Sequence, residues 1–440
     1  MKRVLLLMLF VLQSFCTFSQ TWWKVENEYG DVILLTIELN TAKNTFTAYT
    51  RKEALKDIAG SITFTLAKTA GKLKYPEIVF IEGTTRKKAD SLFLTGTFTY
   101  FDKQFPFSGS IAGNSFRGVY TDKNRQRKLT GIKMPNDNPL ADYKMIINTA
   151  LSTGEKYLAD PAWVKSGDWQ DFKKDLGELK PKVKDDYEMA AAITWLGKKL
   201  PFSPFEINKI NPHSKTSEAP KTGFREINTN TILFDANSFP STKIAFDSLI
   251  AIITKKGYGN MILDLRGRNS INPAAANYFA NFISKKTFTA GVFLTRKWFA
   301  GNPSVPEAKD FEKLFKSFGE TGYKANSLYN EKGRTLKVVP VQNSFKGKVF
   351  VLTDSKTSKI SEVLVHILKT EKMATVVGKK TSGSAFLVER ISVNTDFELI
   401  LPVAEFYSSD GKKMEKNGIE PDIDHTEADP IQYILKTFVK

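Results

Sequence analysis

The sequence predicts an α+β multidomain protein: an N-terminal antiparallel β domain, a helical segment and a C-terminal α/β core. Three observations carry this. Short runs rich in Thr, Phe, Val and Ile recur at close intervals from residue 22 to about 133. Apolar residues then fall at three- and four-residue spacing from 137 to about 208. From 223 onward, strand-like and helix-like segments alternate. At 440 residues, 41% hydrophobic and 25% charged, the chain has a globular composition and is too long for one small core.

The first element is an expected leader, residues 1–20. Lys2 and Arg3 form a basic start, Val4 to Leu12 an apolar run, and "TFSQ" offers a cut near Ser19 or Gln20. That is the pattern of a secretory signal peptide. The apolar run is shorter than the roughly 20 residues a mature transmembrane helix needs. Phe15 before Cys16 makes a poor lipoprotein site. No later segment is long and apolar enough to span a membrane, so none is expected once the leader is removed.

Residues 21–135 form the expected β domain. "VILLTIEL", "NTFTAYT", "SITFTL", "EIVFIEG", "SLFLTGTFTY", "FPFSGSI" and "SFRGVY" read as strands, separated by Gly, Asn, Asp and Lys. Such spacing suits an antiparallel sheet or a small barrel. A barrel could hold a small apolar ligand, although no convergent polar set is legible in it. Residues 136–210 form the helical segment, and "NPHSKTSEAPKT", 211–222, a linker. Residues 223–440 form the core, with "TILFDAN", "NMILDLRGR" and "GKVFVLTD" as strands before helical patterns and "FLVERISVNTDFELILPV" as a hairpin.

Composition excludes several functions. Cys16 is the single cysteine and lies in the leader, so neither a disulfide nor a Cys nucleophile is expected in the mature chain. His213, His366 and His425 are the only histidines, and no two have metal-ligand spacing; no metal or other cofactor is expected. The net charge is +17, or +15 without Lys2 and Arg3, but the lysines are spread along the chain. No aromatic-interleaved basic stripe points to nucleic acid. Nothing in the sequence sets the oligomeric state.

The chemistry-bearing stretch is "TDSKTSKISE", 353–362, a polar turn between the apolar run "GKVFVL" and the helical "VLVHILK". Strand, tight turn and helix is a setting in which hydrolases hold a nucleophile. The turn contains Ser355, Ser358 and Ser361, with Lys359 among them.

Four landmarks follow one another: "GNMILDLRGRNS", "GKVFVLTDSKTSKISEVLVHIL", "ATVVGKKTSGS" and "NGIEPDI". In order and spacing they resemble the tail-specific (C-terminal-processing) serine peptidase family, with its tricorn and retinoid-binding-protein-like branch. The resemblance covers about 223–425, and "LGKKLPFSPFEI" is similar to the family's N-terminal helical segment. It implies a core of the ClpP–crotonase-like ββα superhelix type. Only about 15 residues separate Ile207 from Phe224, so the PDZ domain of many relatives has no room.

The resemblance also assigns roles to positions. The family's nucleophilic Ser stands three residues before a Glu; with Glu362 as that Glu, the matched position is Lys359. The tail-specific general base, a Lys, matches Ser384, 25 residues further on. The tricorn-like His base matches Pro204 in "LPFSPFEI". The glycine-rich oxyanion turn matches Asn269, Ser270 and Ile271. Each matched position thus departs from the family. A shift of one residue would make Ser358 the nucleophile, still without an evident base. An inverted dyad of Ser384 with Lys359 would need burial to lower the ammonium pKa.

Three functions are therefore expected in competition. One is an exported, catalytically degenerate relative that binds a peptide or protein segment. The second is an active serine endopeptidase or C-terminal processing peptidase with a shifted nucleophile. The third is a small-apolar-ligand binder using the β domain.

Overall fold

The computed structural model describes residues 18–210, 224–235, 240, 243–267, 271, 273–302, 304–318, 325–414, 418–425 and 429–439. The N-terminal region is a closed eight-stranded barrel of β1 (Phe18–Asn27), β2 (Val32–Asn40), β3 (Thr45–Tyr49), β4 (Val79–Lys88), β5 (Ser91–Tyr100), β6 (Lys103–Ala112), β7 (Ser115–Asp122) and β8 (Arg125–Met134). Each strand pairs antiparallel with the next, and β8 returns to β1 through Trp22–Asn27. Two-residue loops join β4 through β8; in the last, Lys123 and Asn124 both have positive φ, the turn that matches strand twist. Alternation puts Ile33, Leu35 and Ile37 inside with Trp23, Phe46, Phe98, Phe107 and Phe116. Gly83 and Gly96 face each other across β4 and β5, where a Cβ on Gly83 would come 2.1 Å from the Thr95 carbonyl oxygen.

The structure corrects the strand reading at "SITFTL". Residues Ser61–Thr69 form a helix that follows Ala54–Ala59. The β-branched composition is overruled by packing: Phe64 is buried with Leu55 and Ile58, giving a helical rather than an alternating face. The structure also adds β1 and β8, the pair that closes the barrel. Residues 1–17 of the expected leader lie outside the described residues, and β1 begins at Phe18. The expected linker, 211–222, also lies outside them.

Three helices follow, Tyr143–Tyr157, Gly167–Leu179 and Asp186–Gly197, capped by Asp142, Ser166 and Asp185. The last one repairs a gap in the barrel. Strand β3 pairs with β2 only from Thr36 to Asn40. The N–H groups of Val32 and Leu34, beyond that pairing, donate to the carboxylates of Asp186 and Asp185 at 2.9 and 3.0 Å. Thus the N-terminus of a helix stands in for a missing strand edge.

The core has two sheets. One runs β10 (Arg225–Asn228), β11 (Thr231–Asp235), β12 (Asn260–Asp264), β15 (Lys348–Thr353), β16 (Thr375–Gly378) and β19 (Ile423–Asp424), parallel from β11 onward. The other is antiparallel, in the order β14 (Gly333–Val338), β13 (Phe288–Thr295), β18 (Phe397–Ser408) and β17 (Phe386–Ser392). Strand β9 (Glu206–Lys209), at the end of the helical segment, pairs with β18 and ties that segment to the core. Helices Lys243–Lys256, Pro273–Ile283 and Ile360–Thr370 alternate with the parallel strands. No helix among the described residues is long and apolar enough to cross a membrane.

Candidate functional site

The site stands at the carboxyl ends of β12, β15 and β16, where open parallel sheets present their loops. The apolar strand β15 delivers Thr353, and its side chain donates to the Lys379 carbonyl at 2.8 Å. Asp354 then organises the turn, accepting from the N–H groups of Lys356 and Thr357 at 2.9 Å each. Its carboxylate also takes the Gly267 N–H, at 3.1 Å to both oxygens, which joins the β12 loop to the β15 loop. The buried Thr357 hydroxyl donates to the Leu265 carbonyl at 2.9 Å.

The chain next makes its sharp bend at Lys359, with φ 58° and ψ −133°. A side chain bearing a Cβ is strained there, at roughly 1–3 kcal/mol. Lys359 precedes the helix Ile360–Thr370, and its carbonyl accepts from the Glu362 and Val363 N–H groups at 3.1 and 3.2 Å. Its own N–H donates to the Ser384 carbonyl at 2.9 Å. Positions 359 and 384, far apart in sequence, are thus neighbours.

Glu362 fixes the facing loop. It is fully buried and accepts from the N–H groups of Gly383 and Ser384 at 2.8 and 2.7 Å, and from the Thr381 hydroxyl. Burial pushes its carboxyl above the usual range, while those donors act to lower it. The Ser382 hydroxyl lies 3.4 Å from the same carboxylate and 2.7 Å from the Ser384 hydroxyl. The Thr381 hydroxyl accepts from the Ile419 N–H at 2.7 Å, so "NGIEPDI" closes over this loop. The sequence reading named Glu362 only as a marker and missed Thr381 and Ser382. The small polar run "KKTSGS" after β16 was the available signal.

The other expected residues are placed as follows. Ser358 is half-buried and sits immediately before the bend. Pro204 is buried between Phe202 and Phe205; Phe202 stacks on Trp163 at 4.6 Å, and Trp163 meets Phe386 at 5.6 Å. Pro204 therefore belongs to an aromatic seam that reaches the strand following Ser384. Ile271 is 5% exposed, with its side chain in the core where the resemblance implies glycine. Asn269, Ser270 and His213 lie outside the described residues. Asp264 and Arg266 form a two-pronged ion pair with each other, at 2.8 and 2.6 Å. His366 lies edge-on to Phe406 and His425 stacks on Tyr433. Among the described residues, no group of three or more His, Cys, Asp or Glu could hold a metal ion.

No curated protein matches the sequence. Among solved structures, a lipoprotein from Streptococcus agalactiae is 14% identical, with 69% of this chain and 98% of that chain covered and a TM-score of 0.44. The photosystem II D1 C-terminal processing protease is 12% identical, covering 65% of this chain and 94% of its own, with a TM-score of 0.38. The tricorn protease is 10% identical over 90% of this chain and 45% of its own, with a TM-score of 0.44. The sequence model of Peptidase family S41 matches residues 300–425. The elbow at Lys359, the loop held by Glu362 and the segment that closes over it all lie inside the stretch that this model matches.

Proposed function

We propose that this chain is an exported, catalytically degenerate relative of the S41 peptidases that binds a peptide or protein segment. The observation that carries the reading is the side chain at the bend. The residue with the strained backbone, whose N–H is bonded to Ser384, is a lysine. Acyl transfer from an elbow needs a hydroxyl there, a base within reach and donors for the oxyanion. Lys359 supplies no hydroxyl. Ser384, in the place of the base, cannot take a proton near neutral pH. Position 204, the other branch's base, is a buried proline. At position 271 a buried isoleucine replaces the glycine of the oxyanion turn. One such donor is worth roughly 3–4 kcal/mol of barrier. A peptide-binding role uses the same polar elbow without the chemistry. Export rests on the basic and apolar pattern of residues 2–12, with no nucleic-acid partner implied.

The test is hydrolysis of an unstructured polypeptide together with labelling by a fluorophosphonate. The purified mature chain is expected to match the buffer control in both. The double substitution Lys359→Ser with Ser384→Lys restores the dyad but not the oxyanion turn, so weak activity at most is expected. Strong labelling of the unmodified chain, lost on Ser358→Ala, would establish the shifted-nucleophile peptidase instead. Loss on Ser384→Ala would establish the inverted dyad. Mass spectrometry of protein recovered outside the cytoplasm should find a start near Gln20 or Thr21; recovery with Met1 would refute a cleaved leader, and recovery only from the cytoplasm would refute export.

A further inference from the structure

Where the barrel, the helical segment and the core meet, there is a cleft of about 730 Å³. It is separate from the elbow: no residue of 353–362 or 381–384 is among those that line it. Its barrel wall carries Tyr100 and Tyr120, and its helical wall carries Tyr187. The Tyr100 and Tyr187 rings meet nearly at right angles, 79°, with centroids 5.6 Å apart, and so form a corner. Tyr120 stacks on Phe98 at 4.3 Å, completing an aromatic side. Burial raises the phenols of Tyr100, to about 12, and of Tyr187, so both rings stay neutral near pH 7.

The charges at this corner do not balance. Lys209 is taken by Asp186 at 2.9 Å, and Arg390 is taken by Glu398. Asp31 remains. Its carboxylate has the Asn27 side-chain amide at 2.9 Å; Lys209 and Asp186 act on it in opposite directions from beyond contact, and no lysine or arginine forms an ion pair with it among the described residues. Burial raises its pKa, so a cation brought to this carboxylate would offset a desolvation already incurred. Neutral aromatic faces around an unpaired carboxylate attract cations through the ring quadrupole and exclude anions.

We propose that this cleft binds an organic cation, an ammonium or guanidinium on an apolar stem, between Asp31 and the Tyr100, Tyr120 and Tyr187 rings. The group could come from a basic side chain of a polypeptide or from a free amine, since both present the same chemistry. This site does not depend on the elbow being inactive.

Calorimetric titration of the full mature chain tests it with three probes: a short lysine-containing peptide, the same peptide acetylated on that lysine, and n-butylammonium. The lysine peptide is expected to bind about tenfold more tightly than its acetylated form, the loss that removing the cation implies. Asp31→Asn should abolish that preference without lowering the thermal midpoint, since the amide keeps an acceptor for Asn27 and removes a buried charge. Saturable binding of n-butylammonium as tight as the peptide assigns the site to free amines; tighter peptide binding assigns it to polypeptide. Equal binding of the two peptides, or no binding of any cation to the unmodified chain, would overturn the proposal without any variant. Neither result bears on elbow chemistry, which the fluorophosphonate reports separately.

Discussion

Buried carboxylates set the behaviour of single residues here, and their surroundings make them behave differently. Glu362 has four donors around it and acts as a structural hub for the site loop. Glu389, on β17, is 3% exposed, and neither carboxylate oxygen has a well-formed hydrogen bond among the described residues. Burial pushes its pKa up from 4.5 to about 7, with only the Leu328 backbone acting to lower it. Below the lower value both folded and unfolded chains carry the proton. Between the two values the unfolded chain releases it and the folded chain retains it, so Glu389 makes stability fall as pH rises. Above about 7 the loss is complete. Glu389→Gln removes this dependence. Melting curves at several pH values should therefore show the variant gaining on the native chain between pH 4.5 and 7, then holding a constant offset. A constant offset over the whole range would mean that Glu389 does not titrate in that window.

Among the elements, the barrel seam held by the helix Asp186–Gly197 depends on two adjacent carboxylates and is open to disruption by a single change. Asp185 caps that helix by accepting the Glu188 N–H at 2.8 Å, and its second oxygen takes the Leu34 N–H of β2. Asp185→Ala removes the cap and leaves a buried strand N–H unpaired, which together cost about 2–4 kcal/mol. Asp185→Asn keeps an acceptor and should cost less than half as much; denaturant titration of both variants measures the difference. Equal losses would place the cost elsewhere than in these two bonds. This seam was not legible in the sequence, because "DDYE" at a helix start reads as ordinary capping. The closing strands were hidden for other reasons. The first overlaps the leader pattern, and "RQRKLTGIKM" shows mostly polar residues, with Leu129 its one fully buried side chain. The strand, turn and helix around Lys359 were legible, since a polar turn between an apolar strand and an amphipathic helix has few other readings. The cleft at Asp31 was not: its walls come from segments more than 350 residues apart, which meet only where barrel, helical segment and core pack together.

At the scale of the molecule, one continuous apolar cluster runs through the barrel, the helices and the core. The barrel nevertheless has an interior of its own. Trp23, Ile33, Leu35, Phe46, Phe98, Phe107 and Phe116 fill it, and the β1–β8 pairing closes it. Apart from the seam at Val32 and Leu34, the closed barrel has no open sheet edge and can bury its own apolar face without the core. What it loses when cut from the chain is the seam. Val32 and Leu34 lose their carboxylate acceptors, and the helix Ala54–Ala59 loses its contact with the helix Asp186–Gly197. A fragment spanning residues 18–135 is thus expected to unfold cooperatively, but at a lower temperature than the full chain. The full chain, with one shared cluster, is expected to melt in a single transition. Far-UV circular dichroism of both proteins on heating checks this. A fragment without a transition would show that the barrel needs the helices to fold, and two separated transitions in the full chain would show that the shared cluster does not couple its parts.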